Sequence, residues 1–105
     1  MGVAIGLQEL EEKAGEAEHL LGLLANRRRL IILCALMQNG EMSVGDILAR
    51  LDLTQSALSQ HLALMREAEI VATRRESTTI FYSIRDERIA RLIGALKSIL
   101  CPDME

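Results

Sequence analysis

Ser43-Val-Gly-Asp-Ile-Leu-Ala-Arg-Leu-Asp-Leu-Thr-Gln-Ser-Ala-Leu-Ser-Gln-His-Leu62 holds two amphipathic segments joined by a short break at Asp52-Leu53-Thr54. Ser43 is a good N-cap with Asp46 three residues on, a variant of the capping box. Val44, Ile47, Leu48 and Leu51 then fall on one face of a short helix. Thr54 can cap a second helix, in which Leu58, Leu62 and Met65 step by four and three toward a core. That spacing leaves Gln55, Ser56, Ser59 and Gln60 on the opposite, solvent-facing side. Small hydroxyls and amides are poor surface fillers beside Lys or Glu, but they suit close reading of base edges and phosphates. The stretch reads as a helix-turn-helix whose second helix is the recognition helix.

The flanking segments supply a frame for it. Leu7, Leu10, Ala14, Ala17, Leu21 and Leu24 form one apolar stripe on a helix of several turns, with acids on the other face. Such a stripe serves a core, but its a/d regularity favours contact with a second copy of the chain. A second helix starts after Asn26, a plausible N-cap, and Leu30, Ile31, Leu33, Cys34 and Met37 give it a broad apolar face before Asn39-Gly40 ends it. Arg27, Arg28 and Arg29 fall in its first turn, where the helix dipole disfavours cations. Solvated surface, phosphate contact and pairing with the acidic first helix all remain open for them. After Glu69 the pattern turns extended. Ile70–Arg75 and Thr79–Ile84, separated by Glu76-Ser77-Thr78, predict a hairpin with Arg74 and Arg75 near its tip. A basic hairpin beside a recognition helix is a wing. Ile89, Leu92, Ile93, Leu96, Ile99 and Leu100 predict a last helix, capped by Asp86 and stopped at Cys101-Pro102. The fold class is mainly α with a small β-hairpin, in the order helix, helix, helix, helix, hairpin, helix.

Composition sets the outer bounds. A chain of 105 residues, half of them hydrophobic, has room for one domain with a modest core, so residues 1–105 are read as a single domain. Phe81 and Tyr82 are its aromatics, so that core is aliphatic. The net charge of −3 argues against a non-specific nucleic-acid coat but not against one basic face. Acids gather near the N-terminus, while bases gather at Arg27–Arg29, Arg66 and Arg74-Arg75. Two cysteines are too few for a secreted disulfide framework. No run is long enough to span a membrane, and no signal peptide is visible. After Met1-Gly2, Gly6 stands where a myristoylation motif wants Ser or Thr, so lipidation is not expected. A cytoplasmic protein is expected. There is no Cys-x-x-Cys motif, catalytic constellation or cofactor loop, so neither an enzyme nor a bound cofactor is expected.

Leu53-Thr-Gln-Ser-Ala-Leu-Ser-Gln-His-Leu62, Leu64-Met-Arg-Glu-Ala-Glu-Ile-Val71 and Ile80-Phe-Tyr-Ser-Ile84 together resemble the ArsR/SmtB family of bacterial winged helix-turn-helix repressors. The resemblance runs from Ala25-Asn-Arg-Arg-Arg-Leu30 to the last helix. It implies a homodimer joined through the first and last helices and bound to an inverted repeat in double-stranded operator DNA. The DNA-contacting set expected is Thr54, Gln55, Ser56, Ser59, Gln60, His61, Arg66, Arg74 and Arg75. One departure is the wing tip, where a glycine is common and this chain has Glu76-Ser77-Thr78.

The sensor must be read separately. Metal-sensing relatives use a Cys-Val-Cys pair where this chain has Ser43 and Gly45. Others use Asp and three His where it has Asp86 followed by Arg88, Ile99 and Pro102. Neither set can hold a metal, and His19 and His61 leave too few ligands for another zinc site. Leu30-Ile-Ile-Leu-Cys-Ala-Leu36 and Leu96-Lys-Ser-Ile-Leu-Cys101 resemble the subgroup containing BigR, SqrR, YgaV and HlyU. That likeness implies that Cys34 and Cys101 are a sensing pair, bridged by reactive sulfur species or an oxidant as inducer, with a fall in operator affinity. The residues alone leave an alternative, since a lone Cys on an apolar helix face is usually a small core residue. Arsenite or a soft metal at the same thiols, or an interaction module without DNA binding, are the competing functions.

Overall fold

The computed structural model describes residues 4–103, so the Met1-Gly2 start lies outside it. Its elements are α1 (Leu7–Leu24), α2 (Arg27–Asn39), β1 (Met42–Ser43), α3 (Val44–Arg50), α4 (Gln55–Glu67), β2 (Val71–Glu76), β3 (Thr79–Ile84) and α5 (Glu87–Leu100). The expected order holds, with one addition. Met42 and Ser43 pair antiparallel with Tyr82 and Phe81, so the hairpin is the larger part of a three-stranded sheet ordered β1-β3-β2. Two residues are too short to leave a period, which is why the sequence gives no sign of this strand.

Capping fixes where the helices begin. Asn26 Oδ1 accepts from the Arg28 and Arg29 N–H groups at 3.0 and 3.1 Å. Ser43 Oγ accepts from Asp46 N–H at 3.0 Å, and Asp46 returns the contact to Ser43 N–H at 3.1 Å, completing the capping box. Thr54 Oγ1 accepts from Ala57 N–H at 3.1 Å, and Asp86 from Arg88 N–H at 2.9 Å. Each cap satisfies donors that a helix start leaves orphaned.

The core is aliphatic. Ile32, Leu33, Leu36, Ile47, Leu58, Met65, Ile70, Ile89 and Ile93 are wholly or almost wholly buried, joined by Met42 and Val71 from the sheet. α2 lies at its centre, packed on α5 and β3. Here one expectation fails: the buried face of α2 is Ile32, Leu33 and Leu36, while Ile31, Cys34 and Met37 are exposed. Nearly every side chain from Leu30 to Met37 is apolar, so two helical stripes compete and the core selects the one facing α5 and β3.

Two residues take left-handed backbone without being glycine. Ser77, with φ 58°, opens the two-residue wing turn between Glu76 and Thr79, the place where a glycine would be unstrained. Glu69, with φ 62°, follows α4; its N–H donates to Arg66 O and that of Ile70 to Met65 O, both at 3.0 Å. That pair of bonds is a Schellman motif, and the residues at its two ends, Met65 and Ile70, are both buried.

Candidate nucleic-acid interface and thiol pair

α4 presents what its pattern promised. Leu58, Leu62 and Met65 are buried, and Gln55, Ser56, Ser59 and Gln60 are exposed on the other side. The cap at Thr54 fixes the first turn, so the row starts from a set position. Thr54 itself is exposed, its hydroxyl already accepting from Ala57. Arg66 is exposed in the last turn, and with Ser59 and Tyr82 it lines a shallow hollow between α4 and the sheet. His61 differs from the row. It is half-buried, and burial together with the charges of Arg29 and Arg28 pulls its pKa below the ordinary value of 6.5. It therefore lies toward the basic start of α2 and stays neutral at physiological pH.

The three arginines have separate positions. Arg29 Nε donates to Leu23 O at 2.8 Å, closing the C-terminal end of α1 with a cation where the dipole favours one. Arg28 Nη1 reaches Asp52 O at 3.5 Å in the break between α3 and α4, and Arg27 is exposed. The acid of α1 that does reach across is Glu16, 3.5 Å from Arg88 of α5.

On the wing, adjacent arginines behave differently. Arg75 is exposed, its Nε donating to Ser77 O at 3.1 Å beside the tip. Arg74 is engaged within the chain. Its Nε and Nη2 donate to the two oxygens of Glu41, both at 2.9 Å, and its Nη1 to Glu76 at 3.3 Å. Its guanidinium also stacks 4.8 Å from the centroid of the Phe81 ring. Nothing in the sequence pointed to Glu41, which is 33 positions from its partner.

The thiols meet at another place. Cys34, on the exposed side of α2, and Cys101, the C-cap of α5, line one cleft of about 330 Å³ between the two helices. Leu30, Met37, Ile93, Leu96 and Leu100 make its walls apolar, and Lys97 is the one charged residue among them. Both sulfurs are free thiols. Cys34 is exposed on α2, but partial desolvation of its thiol in the cleft pushes it up from its ordinary value of 9.0; Cys101 adds to the rise, and the Lys97 ammonium opposes it. Lys97 is a member of this site that sequence reasoning did not single out. Among the described residues no group of three or more His, Cys, Asp or Glu could hold a metal, and Asp86 is taken up by its cap and by Arg88 at 2.9 Å. Among the same residues no helix is long and apolar enough to cross a membrane.

Comparisons with known proteins agree on the kind of molecule. Residues 26–73 match the model of the bacterial regulatory protein, arsR family. The chain is 45% identical to the transcriptional activator HlyU of Vibrio cholerae over 95% of its own length and 92% of that protein. It is 48% identical to the biofilm growth-associated repressor of Agrobacterium fabrum, over 96% of its length and 86% of the relative. The crystal structure of the transcriptional regulator HlyU from Vibrio vulnificus superposes with a TM-score of 0.87 at 44% identity, covering 92% of this chain and all of that one. An exposed polar row on a rigidly capped second helix, a winged sheet beside it and relatives that are transcriptional regulators rather than enzymes lead to one assignment. The chain belongs to the ArsR family of DNA-binding transcriptional regulators.

Proposed function

We propose that this regulator is a homodimer whose operator affinity falls when a sulfur bridge forms between Cys34 and Cys101. The observation that carries the reading is the shared cleft: the two thiols lie on different helices, yet line the same apolar wall. The dimer forms through α1 and α5, whose Leu7, Leu10, Leu21, Ile99 and Leu100 are exposed. Two α4 helices then enter successive major grooves about 34 Å apart on an inverted repeat. Gln55, Ser56, Ser59 and Gln60 read base edges; Thr54, His61, Arg66 and Arg75 border the groove.

The chemistry balances with a persulfide as the oxidant. A thiolate takes the outer sulfur of RSSH, releasing RSH, and becomes a protein persulfide. The second thiolate attacks the Sγ of that persulfide, forming the Cys34–Cys101 disulfide and expelling hydrosulfide. If both thiols are first persulfidated, attack of one terminal sulfur on the other Sγ leaves a trisulfide and again expels hydrosulfide. A direct disulfide needs Cα atoms within about 7 Å, and each inserted sulfur relaxes that limit. Either bridge ties the dimer-forming α5 to α2, and so changes how the two reading heads are spaced.

The test uses reduced protein treated separately with a persulfide donor, hydrogen peroxide and arsenite, with intact mass and operator affinity measured on the same samples. Persulfide is expected to add a bridge between Cys34 and Cys101 and weaken binding, and Cys101→Ser to abolish that response while basal binding stays. The reading fails if no bridge forms, or if one forms without weakening binding. Loss of affinity with arsenite alone replaces it with a soft-metal sensor.

A further inference from the structure

We infer that Arg74 is a positioning residue, strapped by Glu41 so as to fix the wing against the reading head, and does not itself touch DNA. The sheet order puts β2, which carries Arg74, at the edge farthest from β1. Arg74 pairs with Phe81 on β3, and Phe81 pairs with Ser43 on β1, so the three residues form one row across the sheet. The guanidinium lies over the Phe81 ring and ends on Glu41, in the Gly40-Glu41 link just before β1. One side chain thus reaches from β2 across β3 to the residue just before β1. β1 is only two residues long, so Arg74 adds a second tie between the outer strand of the sheet and the chain just before β1.

An isolated surface ion pair contributes little, because solvent screens it and two flexible chains must be held. This one has the geometry that makes an exception: a bidentate fork, a second carboxylate on Glu76, and a ring beneath. A backbone phosphate would have to displace a carboxylate that already satisfies two donors of the fork. Arg75, next along the strand, projects from the other face of the sheet and has no carboxylate partner among the described residues. It is the wing arginine available to DNA.

Charge makes the test decisive. Glu41→Gln removes a negative charge from a protein that binds a polyanion, so electrostatics alone would tighten binding. The strap predicts the reverse: Glu41→Gln and Arg74→Gln each weaken operator binding by roughly fivefold, and the double variant is no weaker than either. Amide hydrogen exchange across Arg75–Thr79 in the free protein should speed up equally in both. Circular dichroism checks that the variants fold, with Arg74→Lys, which keeps the charge and loses the fork, as the substitute should Arg74→Gln fail. A phosphate contact gives a different pattern, in which Glu41→Gln binds as well as or better than the wild type. Arg74→Gln alone would then lose affinity, with a salt slope lower by about one. That pattern, additive losses, or unchanged affinity in all variants each overturn the inference.

Discussion

α4 and α5 are helices of similar length, each with a buried apolar stripe, yet they finish differently. α4 is complete within one chain: Leu58, Leu62 and Met65 are buried, Thr54 caps its start and a Schellman motif closes its end. α5 starts the same way, with Asp86 as cap and Ile89 and Ile93 buried, but Ile99 and Leu100 are 72% and 74% exposed at its end. α4, the proposed reading helix, leaves a polar row open, whereas α5, which ends at the second thiol, leaves an apolar end open. An open polar row is matched to a groove of base edges; an open apolar end is matched to another protein surface.

The most severe way to break the contrast is to truncate matching side chains. Leu58→Ala should cost about 3 kcal/mol in denaturant unfolding, since Leu58 is fully buried and leaves a cavity. Leu100→Ala should cost far less at dilution that favours the monomer, and its effect should appear instead as a weaker dimer in sedimentation. Equal losses of monomer stability from the two changes would show that α5 is finished within one chain after all.

A smaller effect separates the two regions by pH. The Cys34 thiol is raised by burial, so well below its pKa the thiolate fraction and the rate of sulfur transfer to it should climb about tenfold per pH unit. Lys97→Met should slow that rate at any fixed pH by removing the ammonium that favours the thiolate. His61 is lowered below 6.5 and is neutral over the same range, so operator binding by the untreated protein should not follow this profile between about pH 7 and about pH 8. A rate that is flat with pH, measured by mass spectrometry of Cys34, would place the attacking thiolate elsewhere.

The smallest expected effect concerns the helix ends. Glu69→Gly should stabilise the fold by about 1 kcal/mol, because φ 62° strains a side chain there and the Schellman bonds do not depend on it. Glycine at the end of α5 should bring no such gain, because Cys101 has φ −132°, which any residue adopts. Thermal melting of the two variants sharpens the distinction between a closed and an unclosed helix terminus.

Much of this was legible because local signals were strong. Ser43, Thr54, Asn26 and Asp86 cap where polar residues precede apolar periods, and the Leu58-Leu62-Met65 spacing named the core face of α4. The errors lie where local signals are degenerate or distant. From Leu30 to Met37 almost every residue is apolar, so periodicity alone could not show that Cys34 and Met37 face outward while Ile32 and Leu36 face in. The Arg74–Glu41 strap joins residues 33 positions apart, and their pairing depends on a sheet order that no pattern encodes. Lys97 carries no local signal of a role, because only the approach of α2 to α5 makes it the cation of the cleft.

Ser43 is at once the last residue of β1, backbone-paired with Phe81, and the cap of α3. Behind it, only Gly40, Glu41 and Met42 separate it from α2, and Asn39 at the end of α2 accepts from Arg50 at the end of α3 at 2.7 Å. α2, the sheet and α3 are therefore geared together with almost no slack in the connecting chain. A pull on α2 at Cys34 has no flexible loop in which to dissipate. The proposed bridge at Cys34 would therefore act on the wing and the helix-turn-helix together.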